Sequence, residues 1–85
     1  MREVIFRKRA LKELQEWNKF DLNIFSRIVN LIDNIQIAPL SGLGKPEPLK
    51  HNFQGYWSRR ITKEHRLVYK VTDESIIIAS CKFHY

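Results

Sequence analysis

The spacing of apolar residues predicts a short strand followed by a helix at the start of the chain. Residues Arg2–Phe6 are β-prone. After them, apolar side chains recur at the three-residue spacing that places them on one face of a helix. The residues of this face are Ala10, Leu11, Leu14 and Trp17. The stretch Asn18–Phe20 is predicted to end the helix.

A second helix is predicted between Asp21 and Pro39. Asp21 is a typical N-cap residue, because its carboxylate can accept a hydrogen bond from a free backbone N–H of the first turn. The apolar positions that follow are separated by steps of three and four residues, and they are Ile24, Phe25, Ile28, Leu31, Ile32 and Ile35. Because proline cannot continue a helix interior, we expect the helix to end before Pro39.

The second half of the chain has the two-residue period of β-strands. The segment Ser41–Pro48, rich in glycine and proline, is predicted to be a loop that separates the two halves. The turn-like sequences Thr62–His65 and Asp73–Glu74 divide the remainder into an antiparallel meander, and His65 is interpreted as an ordinary turn residue. The predicted strands are Tyr56–Ile61, Arg66–Thr72 and Ser75–His84.

This element order predicts an α+β fold with the order β-α-α-β-β-β. Two adjacent amphipathic helices need one apolar surface to pack on, and a four-stranded, mainly antiparallel sheet supplies it. The chain has 85 residues, which leaves room for a single domain spanning residues 1–85.

Alternation along the strands assigns side chains to two sheet faces. The predicted core face contains Trp57, Ile61, Leu67, Tyr69, Val71, Ile77, Ala79, Cys81 and Phe83. The opposite, open face contains Tyr56, Ser58, Arg60, Arg66, Val68, Lys70, Ile76, Ile78, Ser80, Lys82 and His84. Arg59 falls on the core side, and we expect it at a strand end with its charged head in water.

Composition excludes several classes of protein. The single cysteine, Cys81, excludes a disulfide scaffold, and one cysteine with three scattered histidines does not match a structural zinc site. The longest apolar run, Ile76–Ala79, is too short to span a bilayer, and the N-terminus lacks the apolar region of a signal peptide. We therefore expect a cytoplasmic protein with no membrane contact, no cofactor and no metal ion.

Positive charge is concentrated in one part of the chain. The formal net charge is +6, and residues 44–70 carry seven basic against two acidic residues. A positive field confined to one segment indicates a polyanionic partner, with nucleic acid as the first candidate and an acidic protein as the second.

The open face also carries candidate catalytic groups. Planar guanidinium groups match phosphate oxygens in pairs, and a histidine such as His84 can transfer a proton near neutral pH. Glu47, in the glycine- and proline-rich loop, is the best candidate for a partner carboxylate, and Glu64 is the alternative. The competing interpretation is an ordinary solvated sheet face, with an inert terminal histidine and a glutamate that only serves a turn.

Four segments of the second half carry a set of motifs. They are Gly44–Asn52 (GKPEPLKHN), Gly55–Ile61 (GYWSRRI), His65–Tyr69 (HRLVY) and the ending His84–Tyr85. Together they resemble the YoeB (Txe) toxins of the RelE superfamily, from about residue 42 to the last residue. The first 40 residues agree with that family in element order and length.

The resemblance implies the toxin half of a bacterial type II toxin–antitoxin pair with a RelE-like fold. Such a toxin enters the ribosomal A site, which contains 16S rRNA, and cuts the mRNA there. Matching motif positions implies that Glu47 is the general base, His84 the general acid, Arg66 the transition-state stabiliser and Tyr85 a substrate-positioning residue. The implied mechanism is attack by the RNA 2′-OH without a metal ion.

The resemblance also implies contacts and partners. Lys50 and Arg60 match positions that bind phosphate or support the site, and Arg59 and Lys82 are further candidate RNA contacts. The implied partners are mRNA, the ribosome and an acidic YefM/Axe-like antitoxin, and a homodimer of the free toxin is left open. A non-catalytic RNA- or ribosome-binding module and a domain that binds an acidic protein are the alternative functions.

Overall fold

A computed structural model describes residues 1–83. Its elements are β1 (Glu3–Phe6), α1 (Lys8–Phe20), α2 (Leu22–Ile37), β2 (Glu47–Pro48), β3 (Trp57–Arg60), β4 (Arg66–Val71) and β5 (Ser75–Ser80). The strands form one sheet in the order β1-β5-β4-β3-β2, in which β1 and β5 run parallel and the other neighbours are antiparallel. The predicted α+β class and element order are confirmed, and the short β2 adds a strand within the segment predicted to be a loop.

Local sequence sets the boundary between the two helices. Asp21 caps α2, because its Oδ1 accepts a hydrogen bond from the Ile24 N–H at 3.2 Å. The helix ends at Ile37, before Pro39, as predicted. The predicted end of α1 within Asn18–Phe20 is wrong, since α1 continues through Phe20 and stops where Asp21 becomes extended, with a φ of -155°.

The buried face of α1 differs from the predicted face at two positions. Leu11 is 44% exposed, whereas Glu13 is only 8% exposed. The Glu13 carboxylate is tolerated in the interior because both oxygens accept hydrogen bonds, one from the Cys81 N–H at 2.9 Å and one from Arg9 Nε at 3.1 Å. Glu13 thus connects α1 to the chain just beyond β5.

The core lies between the two helices and one face of the sheet. Its buried residues are Ala10, Ile28, Leu31, Ile32, Ile35, Ile61, Leu67, Tyr69, Ile76, Ile78 and Cys81, and Trp57 and Val71 pack against them. The other sheet face includes Ser58, Arg60 and Arg66, while Val68, predicted on the same face, is only 2% exposed and lines a cavity with Asn52 and Phe53. This is the open face on which the candidate site is built.

A β-bulge places alternate side chains of β5 on the sheet face opposite to the predicted one. Tyr69 pairs with Ile78, but the preceding residue, Val68, pairs with Ser80, so β5 has one extra residue at this point. Ile76 and Ile78 are therefore fully buried in the core, and the predicted core positions of Ile77 and Ala79 are wrong. The shift brings Cys81 back to the core, as predicted.

The end of the described chain leaves the sheet earlier than expected. β5 ends at Ser80 rather than running on towards His84, which lies outside the described residues. Phe83 is 54% exposed, so its predicted place in the core is wrong. Across residues 1–83, neither helix has the length and apolar character needed to cross a membrane.

Candidate active site

Strand register brings four polar side chains together on the open face. Glu47 of β2 lies opposite Ser58 of β3, and Arg60 of β3 lies opposite Arg66 of β4. Ser58 and Arg60 are two residues apart on one strand, so they point to the same side of the sheet. The Glu47 carboxylate and the two guanidinium groups are therefore neighbours across three strands.

These residues line a small polar pocket. Together with Lys45 they enclose about 160 Å³, and every lining residue is polar or charged. The pocket is smaller than the ~300–1,000 Å³ sites that enclose a whole drug-sized ligand. Three cationic side chains face one carboxylate, so the pocket suits an anionic group such as a phosphate more than a neutral ligand.

Gly44 allows the chain before β2 to approach β3. Its φ is +80°, and a Cβ at this position would lie 2.9 Å from Leu31 Cδ2 and 3.2 Å from Arg59 Cβ. The Gly44 carbonyl accepts a hydrogen bond from the Arg60 N–H at 2.6 Å. A side chain here would push the chain away from β3, so the glycine that opens the GKPEP motif keeps Lys45 and Glu47 beside Arg60.

The turn between β3 and β4 holds the Arg66 guanidinium. Its Nη1 donates to the carbonyl oxygens of Thr62 at 2.8 Å, His65 at 3.1 Å and Lys63 at 3.2 Å. A long side chain anchored at one nitrogen has fewer conformations to lose when it binds a ligand. Arg66 is therefore partly preorganised at the edge of the pocket.

Among the described residues, the charged groups of the pocket form no close ion pair. Within residues 1–83, Glu47, Arg60 and Arg66 take part in no ion pair. Glu64, the alternative carboxylate, lies 3.8 Å from His65 Nε2 and does not line the pocket. The geometry therefore favours Glu47 over Glu64 as the partner of the two arginines.

Comparison with known proteins identifies the family. The model of the YoeB-like toxins of bacterial type II toxin–antitoxin systems matches residues 6–85. The chain belongs to this family. The resemblance seen in the second half of the sequence is confirmed, and it extends over α1 and α2.

Individual relatives match the toxin over its whole length. Toxin YoeB of Escherichia coli (strain K12) is 48% identical over 83 residues, which cover 98% of this chain and 99% of that protein. A structure of a YoeB dimer from Staphylococcus aureus has a TM-score of 0.93 at 44% identity and covers 99% of this chain and 98% of that one. A heterotetrameric YoeB–YefM toxin–antitoxin complex from the same species has a TM-score of 0.91 at 43% identity, covering 100% and 99%.

Arg59 does not have the position predicted for an RNA contact. The residue is fully buried, and its guanidinium donates to five oxygens. These are the carbonyls of Ala38 at 2.5 Å, Ser41 at 2.9 Å and Leu43 at 3.0 Å, Asn34 Oδ1 at 2.6 Å and the Tyr69 hydroxyl at 3.1 Å. The prediction that its head lies in water and contacts RNA is wrong, because α2's carboxyl end and the following loop surround it.

Lys82 and Lys50 also lie away from the pocket lining. The predicted place of Lys82 on the open face is wrong: its Nζ is 3.7 Å from Glu16 Oε1 and 5.5 Å from the centre of the Trp17 ring, so it packs on α1. Lys50 is exposed just before the short 3-10 helix His51–Phe53, and its role in RNA binding stays a prediction.

The two terminal candidates, His84 and Tyr85, lie outside the described residues. The structure does fix the residue before them, because the Arg66 N–H donates to the Phe83 carbonyl at 2.8 Å and the Phe83 N–H donates to His65 Nδ1 at 2.7 Å. His65 lies in the turn between β3 and β4, as predicted, but it is only 8% exposed, which the sequence interpretation did not foresee. The sequence feature that could have indicated a specific role for His65 is its position next to Arg66 in the HRLVY motif.

Cys81 is unsuited to nucleophilic chemistry. Burial, followed by the nearby Glu13 carboxylate, raises the pKa of its thiol to about 12. The reactive thiolate form is therefore scarce near neutral pH. Within residues 1–83, no three His, Cys, Asp or Glu side chains are grouped closely enough to hold a metal ion.

Proposed function

We propose that the toxin is a metal-independent endoribonuclease that cuts mRNA in the ribosomal A site and thereby inhibits translation in the cytoplasm. The observation that carries this proposal is the polar pocket in which Glu47 lies with Arg60 and Arg66. A general base beside guanidinium groups suits cleavage through the RNA 2′-OH. A module that only bound RNA would gain nothing from this carboxylate, because it repels phosphates.

The proposed reaction needs one base, one acid and stabilisation of negative charge. Glu47 takes the proton of the 2′-OH, and the oxygen attacks the adjacent phosphorus in line. The bond from phosphorus to the 5′-oxygen breaks, and His84 gives its proton to that oxygen. Arg66 stabilises the charge on the phosphorane, and Tyr85 positions the substrate. The products are a 2′,3′-cyclic phosphate and a 5′-OH, and DNA is not cut because it lacks the 2′-OH.

The remaining cations have a binding role in this proposal. Arg60 lines the pocket and binds the phosphate beside the scissile bond, and exposed Lys50 binds the mRNA backbone. Neither needs to transfer a proton. Both add to the positive field that attracts RNA.

The size of the pocket supports dependence on the ribosome. A space of about 160 Å³ can take a phosphate with part of its ribose, but it cannot enclose several nucleotides. Free RNA rarely adopts the in-line geometry that attack requires. The ribosome, with its 16S rRNA, would hold the mRNA in that geometry and so supply what the toxin lacks.

An acidic YefM/Axe-like antitoxin is the proposed protein partner. The Staphylococcus aureus relative forms a YoeB–YefM complex, and residues 44–70 of this chain carry an excess of five positive charges. We expect an acidic antitoxin segment that is disordered when free and folds on the toxin, since opposite charges speed encounter. A homodimer, as in the Staphylococcus aureus YoeB dimer, is the second proposed assembly.

Cleavage should depend on the ribosome and not on a metal bound by the toxin. We expect mRNA on translating ribosomes to be cut at least ~10²-fold faster than the same RNA free in solution, because positioning accounts for that order of rate. Mapping 5′ ends with and without the toxin measures this. Toxin treated with a chelator and desalted should keep its full rate. Equal rates on free and ribosome-bound RNA would contradict the A-site proposal.

Arg66 should matter for chemistry and Lys63 for binding. Arg66→Ala is expected to lower the cleavage rate ~10²–10³-fold, because it removes stabilisation of the transition-state charge. Lys63→Ala removes an equal charge from the same turn and should change chiefly ribosome affinity and its salt dependence. Single-turnover rates at saturating toxin separate the two effects, and melting curves check the turn. Matching losses in both variants would favour a generic basic binding surface without catalysis.

A further inference from the structure

The buried His65 side chain contacts the backbone of Phe83 through one ring nitrogen. Its Nδ1 accepts a hydrogen bond from the Phe83 N–H at 2.7 Å. An imidazole nitrogen can accept only when it carries no proton, so the neutral ring holds its proton on Nε2. The ring is fixed by the Trp17 ring, edge to face at 4.9 Å, and by the Phe83 ring at 5.3 Å.

The neighbouring residue, Arg66, bonds the other backbone polar group of Phe83, its carbonyl, which belongs to the next peptide unit. The Arg66 N–H donates to the Phe83 carbonyl at 2.8 Å, so two consecutive residues of the HRLVY motif grip Phe83. Phe83 has a φ of +60°, a left-handed conformation that residues other than glycine rarely adopt. Such a conformation persists only where the surroundings hold it. Phe83 is 54% exposed, and these two backbone bonds act with its ring contact to His65 to hold its conformation.

We propose that His65 is a positioning residue for cleavage, which acts by holding the backbone of Phe83 through its Nδ1. The bonds end one residue before His84, and the residue that provides the second of them, Arg66, lines the pocket. This inference rests on the proposed function, in which His84 is the general acid. In the competing interpretation, His65 only fills space beside Trp17 and stabilises the fold.

Two substitutions of matched shape separate these roles. Asn and Leu both branch at Cγ, but only Asn offers an acceptor where His65 has Nδ1. His65→Leu is expected to lower the single-turnover cleavage rate on ribosomes ~10²-fold, because a small misplacement of a catalytic group has effects of this size. His65→Asn should recover most of the rate, while both variants lose similar thermal stability. Equal rates for Asn and Leu variants of equal stability would overturn the proposal.

A double substitution tests whether His65 acts through the chain end. In a His84→Ala background, His65→Leu should cause little further loss of rate, because the group it positions is already gone. If the two losses multiply in full, His65 acts independently of His84 and the proposal fails.

A readout that does not need cleavage completes the test. In the full-length wild-type toxin, the Phe83 amide should exchange its hydrogen slowly, and the ¹⁵N shift of His65 Nδ1 should be that of an unprotonated nitrogen. His65→Leu should speed exchange at Phe83 more than His65→Asn does. If wild-type toxin left ribosome-bound mRNA intact, the proposed function would fail, while the exchange rates would still decide whether His65 holds Phe83. Rapid exchange in the wild type would overturn that contact.

Discussion

Deletion of His84 and Tyr85 is expected to lower mRNA cleavage on ribosomes by at least ~10²–10⁴-fold, the usual cost of losing a positioned general acid. The same deletion should change the melting temperature little, because it keeps every core residue found within residues 1–83. Chain ends normally tolerate change. A large loss of activity in a fully folded protein would therefore identify the chain end as part of the catalytic machinery.

A second variant controls for the new chain end. Deletion puts the terminal carboxylate on Phe83, whose carbonyl accepts a hydrogen bond from the Arg66 N–H, so a negative charge would appear beside the pocket. His84→Ala with Tyr85→Ala keeps the chain length and avoids this charge. Both variants should cleave mRNA much more slowly than the wild type, and both should have nearly its melting temperature. Full activity in the folded double-alanine variant would rule out His84 as the general acid.

Arg59→Met is expected to destabilise the toxin more than any other single substitution on the sheet. It removes the donor shared by five oxygens at the end of α2, the following loop and Tyr69. A buried acceptor left without a partner costs ~1–3 kcal/mol, so the free energy of unfolding should fall by several kcal/mol. A chain of this length has only ~4–13 kcal/mol in total. Thermal and urea melting should therefore show a protein near the limit of folding.

The adjacent arginine is a matched control. Arg60→Met makes the same change one residue along β3. Because Arg60 is exposed on the open face, this variant should melt within a few degrees of the wild-type toxin. The Arg59→Lys variant should also be less stable than the wild type, because a single ammonium group cannot replace the planar guanidinium that donates to five acceptors. Equal melting temperatures for the Arg59 and Arg60 methionine variants would contradict the structural role assigned to Arg59.

The pKa of Tyr69 reflects its burial beside Arg59. Burial raises the pKa of the Tyr69 hydroxyl, although the hydrogen bond from Arg59 opposes the shift. The hydroxyl therefore stays protonated, donates to the Pro39 carbonyl at 2.8 Å and accepts from Arg59 Nε. Arg59 and Tyr69 thus form one hydrogen-bonded unit that ties β3 and β4 to the end of α2.

The polar pocket was partly predictable from sequence. Strand alternation alone assigned Arg60 and Arg66 to one face, and the antiparallel register of β3 and β4 confirms that they lie opposite each other. The addition of Glu47 to this face depended on β2, a two-residue strand in a stretch of glycine and proline. Alternation gives no information there. The prediction of Glu47 depends on the freedom of a loop carboxylate to project and on the match of its motif to the family.

The sequence by itself determined the features that depend on neighbouring residues. Asp21 caps α2 through a bond that spans three residues, and the apolar spacing of α2 specifies its buried face without reference to the sheet. The α+β order and the family motifs are local in the same sense. Tertiary structure decided the features that depend on distant groups. The bulge that turns Ile78 inward lies in the pairing of β5 with β4, which alternation along β5 alone does not reveal. Arg59 is buried because carbonyls from the end of a distant helix and the following loop accept its hydrogen bonds and offset the cost of removing its charge from water.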